Sequence, residues 1–71
     1  MTTTRVGRPV LDEEDLRPLR LLAAGLPVET VARRLGLSER TVRRRVRAVC
    51  DRLGVTAPIQ AVVWAARRGL L

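Results

Sequence analysis

The sequence predicts an all-α fold, a compact four-helix domain with a helix-turn-helix at its centre. Three observations carry that expectation. Apolar residues recur at spacings of three and four, which suits helices and not the alternation of strands. Gly25, Gly36, Gly54 and Gly69 punctuate these stretches where helices would stop. The chain has 71 residues, the size of one small domain with a single modest core.

Residues 1–10 lack periodicity and are interrupted by Gly7 and Pro9, so they are expected to form a flexible basic arm, with the domain proper over residues 11–71. The first helix then runs to about Ala24, with Leu16, Leu19 and Ala23 on its core face. Asp12 or Asp15 could cap it. The later start is favoured, because a cap at Asp15 places Pro18 in the first turn, where no amide bond is missed. The acidic run Asp12, Glu13, Glu14 and Asp15 is expected to complement the helix dipole. A second helix spans about Val28 to Leu35, entered through Pro27 and ended by Gly36. Ser38 caps the third, which ends at Gly54 and carries Val42, Val46, Val49 and Leu53 as a core stripe, with Cys50 at its border as a core filler. A fourth helix starts near Pro58 with Thr56 as its cap and reaches Arg68. Its helical wheel turns Ile59, Val62, Val63, Ala66 and Leu70 inward and leaves Trp64, Arg68, Ala61 and Ala65 outside.

Composition removes most function classes. The sequence has no His, Tyr or Phe, one Cys and one Trp, so Ser-His-Asp and Cys-His nucleophile systems and His-containing metal sites cannot be assembled. No enzyme activity, catalytic residue, metal or cofactor is expected. Cys50 alone makes no disulfide, no apolar run approaches the roughly 20 residues of a membrane span, and the first residues lack a signal peptide's apolar stretch. A cytoplasmic protein with no membrane partner is the expectation.

Charge points to a polyanion. All fourteen basic residues are Arg, a usage that a GC-rich genome also produces, and the net charge is +7. Placement says more than the total. Arg33, Arg34, Arg40, Arg43, Arg44, Arg45 and Arg47 stand against Glu39 alone within fifteen residues. On the third helix Arg40, Arg43, Arg44 and Arg47 share the face opposite the valines, and a face of one sign is not an ordinary solvated one. Spacing supplies the scaffold for it. Ala32 is small where two helices must approach, Gly36 follows in a tight turn, and Val42 anchors the second helix, with Val31, Leu35 and Leu37 completing the buried set.

The stretch GLPVETVARRLGLSERTVRRRVRAVCDRLGV resembles the DNA-binding domain of the LuxR/FixJ-type (GerE-like) bacterial regulators. Gly25, Pro27, Val31, Ala32, Leu35, Leu37, Ser38, Thr41, Val42, Arg43, Val49, Arg52, Leu53 and Val55 match the family pattern or replace like with like, and the flanking helices resemble the family's first and last. The resemblance implies sequence-specific binding of double-stranded DNA as a transcriptional regulator, with the third helix in the major groove. Arg43, Arg44 and Arg47 would then contact bases, and Thr30, Arg33, Ser38, Arg40 and Thr41 phosphates. It also implies a weak homodimer through the fourth helix, for which the wheel offers Ala61, Trp64, Ala65 and Arg68. Three departures stand out. Pro18 replaces an aliphatic residue, Arg45 replaces a common His and must snorkel outward, and the chain is the DNA-binding module alone, a free-standing small regulator or a fragment. Two other readings share part of the pattern. A sigma-factor region-four-like domain would normally end after the reading helix. An adaptor would dock its basic face on an acidic partner such as an RNA polymerase subunit.

Overall fold

The computed structural model describes residues 10–71; the arm expected over residues 1–10, except for Val10, and with it Arg5 and Arg8, lies outside the described residues. Four helices follow in order, α1 (Glu13–Ala23), α2 (Val28–Leu35), α3 (Glu39–Leu53) and α4 (Pro58–Arg67), and no strand occurs among the described residues. The second and third match the expected bounds. Helix α3 is the hub, packing against the other three, while α1 also touches α2 and α4.

Helix α1 begins earlier than expected. Its N-cap is Asp12, whose carboxylate accepts from the Asp15 amide at 3.0 Å, while the Asp15 carboxylate accepts from the Asp12 amide at 3.0 Å. This reciprocal box satisfies two otherwise orphaned donors. Pro18 consequently lies inside the helix and offers no amide to the Glu14 carbonyl. The gain that offsets the missing bond is burial. The Pro18 ring is fully buried, level with Leu16 and Leu19, so the proline acts as a core residue of the helix. Ala23, expected on the core face, is exposed, and Leu21 and Leu22 pack against the core from the last turn instead.

The turn between α2 and α3 needs glycine. Gly36 has φ +70°, in the left-handed region, which lets the Leu37 amide donate back to the Ala32 carbonyl at 2.9 Å and turn the chain abruptly. Val31, Ala32 and Val42 are buried around it and Leu35 and Leu37 half-buried, as their spacing predicts. On α3 the Ser38 hydroxyl accepts from the Thr41 amide at 3.1 Å. Below it Val42, Val46, Val49 and Cys50 form the buried side of the helix, with Leu53 half-buried at its end.

Helix α4 corrects the wheel. Ala61 and Ala65, expected outside, are both 0% exposed, whereas Ile59 and Val63, expected inside, are 64% and 40% exposed, and Ala66 faces solvent. The helix lies against both α1 and α3, and alanine side chains let its axis come close to each. Size therefore decides the facing against hydrophobicity. Trp64 is half-buried against the core with the Arg68 guanidinium 3.9 Å from its ring centroid, a cation–π contact. The cap is also different. Ala57, not Thr56, is the N-cap, and the Gln60 side chain reaches back to accept from the Thr56 and Ala57 amides, each at 2.9 Å. The dimer surface expected at Ala61, Trp64, Ala65 and Arg68 is thus overturned for the two alanines, which belong to this chain's own core.

Candidate nucleic-acid interface

An α-helix buried along one side by valines must present the opposite side to solvent, and on α3 that side is arginine. Arg40, Arg43, Arg44 and Arg47 are all exposed. Arg43 lies 3.3 Å from Glu39 one turn earlier, with its side chain still 63% exposed. Among the described residues, Arg40, Arg44 and Arg47 pair with no carboxylate. Glu39 beside Arg43 and Asp51 one turn beyond Arg47 offset part of it, and the face still carries an excess of positive charge among the described residues. Arg33 is exposed on α2 and Thr30 half-buried there. Ser38 and Thr41 stand at the α3 N-terminus, the Ser38 hydroxyl donating to the Thr41 hydroxyl at 3.0 Å while it caps the helix. Hydroxyls and amides at a helix N-terminus suit an anion. Arg43 and Arg47 also border a groove of about 600 Å³ floored by Val42, Val46 and Cys50, which the sequence did not suggest.

The remaining α3 arginines are held. Arg45 donates to the Glu14 carboxylate at 2.8 Å, and Arg52 donates to the Asp15 carboxylate at 2.8 Å and to the Val10 carbonyl at 3.2 Å. Within α1, Glu13 pairs with Arg20. The acidic run thus does more than meet a helix dipole, since two of its members cross to α3. Arg45 and Arg52, two turns apart on one flank of α3, are the sequence signal for these two pairs.

The ionisable groups follow these contacts. Partial burial would raise the Asp15 carboxyl, but hydrogen bonds from the Arg52 guanidinium and the Asp12 amide outweigh it and hold the group below the usual carboxylate range. Its contribution to stability is therefore present at neutral pH and lost as pH falls through that lowered value. Desolvation pushes the Cys50 thiol up, with Asp51 adding to the rise and Arg47 opposing it. A protonated, buried thiol matches the core-filling role expected of it. Among the described residues no cluster of three or more potential metal ligands forms, and no helix is long and apolar enough to cross a membrane.

Comparison with known proteins agrees with this geometry. Residues 12–65 match the family described as "Bacterial regulatory proteins, luxR family". The chain is 36% identical over 61 residues to the transcriptional regulatory protein YdfI of Bacillus subtilis, covering 86% of this chain and 29% of that protein. It is 37% identical over 46 residues to the nitrate/nitrite response regulator protein NarL of Escherichia coli K12, covering 65% of this chain and 21% of that protein. The aligned stretch is less than a third of the length of either relative. With more than half of the chain matched, and with the helix-turn-helix at the centre of the match, this protein belongs to the luxR family of bacterial regulatory proteins.

Proposed function

We propose that this chain binds double-stranded DNA as the reading module of a transcriptional regulator, with α3 lying in the major groove. The observation that carries the reading is the exposed, arginine-rich face of α3, presented by a helix-turn-helix whose opposite side is core. Arg43 and Arg47, one turn apart, reach base edges, where the guanidinium fork matches guanine, and Arg44 lies beside them. Thr30, Arg33, Ser38, Arg40 and Thr41 position the protein on phosphates and read no sequence. The family relatives are regulators by name, which favours the same reading for this module. Salt titration is the direct test. Each phosphate contact contributes roughly 0.9 to the slope of log affinity against log salt, so four to six contacts give about −4 to −5. A flat titration on duplex DNA overturns the proposal.

The module pairs weakly through α4 on two half-sites about one helical turn apart. Ile59 and Val63, one turn apart and apolar yet 64% and 40% exposed, support this surface in place of the alanines. Ile59→Glu is expected to abolish cooperative binding to a duplex with two half-sites while leaving binding to one half-site intact. Cooperativity that survives the change places the pairing surface elsewhere.

A further inference from the structure

A shallow recess beside the α2–α3 turn is lined by Arg17 and Pro18 of α1, Leu35, Leu37 and Arg45, and it contains one carboxylate, Glu14. Two guanidinium groups around an apolar floor form a site for a single anion. The anion present is internal. Glu14 accepts from Arg45 at 2.8 Å, with side-chain exposures of 66% and 40%. A pair this exposed contributes little to folding stability. Its effect on the charge of α3 is larger, because Arg45 stands on the same helix as the reading face, on the flank turned toward α1.

We infer that Glu14 limits the phosphate footprint of the domain: its carboxylate takes the place a backbone phosphate would otherwise occupy between Arg17 and Arg45. The inference rests on the DNA-binding reading above and adds a positioning residue to it. Held by Glu14, Arg45 stays off the polyanion, so binding strength comes from the outward face of α3, where base edges contribute. Without Glu14, Arg45 gains a phosphate contact on any duplex, whether or not the bases match. Glu14 thereby keeps sequence-independent affinity down.

The test is a salt titration of wild type, Glu14→Gln, Arg45→Gln and the double variant on duplexes of unrelated sequence, with helical circular dichroism as the check on folding. Glu14→Gln is expected to bind all of them about fivefold more tightly at about 0.15 M salt, with a slope steeper by about 0.9, as one added phosphate contact requires. In the Arg45→Gln background the same change is expected to do nothing. Equal tightening in both backgrounds shows a mere effect of net charge and overturns the inference, as does an unchanged or weakened Glu14→Gln. Wild-type protein that fails to bind any duplex overturns the DNA-binding reading itself, and this inference with it.

Discussion

Arg47→Ala and Arg43→Ala are each expected to weaken binding to a selected high-affinity duplex by about 1–3 kcal/mol, or roughly 5- to 150-fold, while changing affinity for unrelated duplexes far less. Both side chains are exposed on the solvent side of α3. A guanidinium that grips a guanine edge discriminates. One that grips a phosphate does not. Arg33→Ala, on α2, is therefore expected to lower affinity for all duplexes alike and to make the salt slope shallower by about 0.9. The measurement is a randomised-site selection followed by titration of the selected and unrelated duplexes. Uniform losses across duplexes for all three variants would mean that α3 does not read bases.

Ala65→Leu is expected to cost about 1–3 kcal/mol of stability, because a fully buried alanine between α4 and its two partner helices leaves no room for three more carbon atoms. A domain this small has only several kcal/mol in all, so urea unfolding followed by Trp64 fluorescence should show a midpoint lower by about 1–3 M. Ala66→Leu, next in sequence and exposed, is expected to stay within about 0.5 kcal/mol of wild type. If the helical wheel had the facing right, the two results would exchange places. That makes the pair a direct measurement of how α4 sits.

Helices α2 and α3 were legible to the residue because their ends are written in local chemistry. Gly36 and Gly54 have positive φ, and Ser38 caps. Such signals act within one turn, and a reader of the sequence sees all of them. The start of α1 was misread because the rule against an interior proline weighs only the lost bond. The Asp12–Asp15 box is a local signal that the proline rule overrode, and the buried ring at Pro18 is a gain that appears only with the tertiary structure. The facing of α4 was misread because its apolar residues surround the helix almost completely. Periodicity then has no clear maximum, and the separation between helices makes the choice. The arginines of α3 were located correctly on its outer face. Which of them were held could not be seen, since Arg45 and Arg52 find their acids 31 and 37 residues away.

The order of the helices has a consequence in time. Each helix packs on the next across a connection of three or four residues, and α1 then folds back onto α3 and α4. Helical domains built from such near-neighbour contacts fold in about microseconds to milliseconds. A ribosome adding about 5–20 residues per second needs far longer than that for a single peptide bond. Once all four helices are free of the ribosome, the domain is complete in less than the time of one peptide bond, so the arginine face is presented as a formed surface from then on.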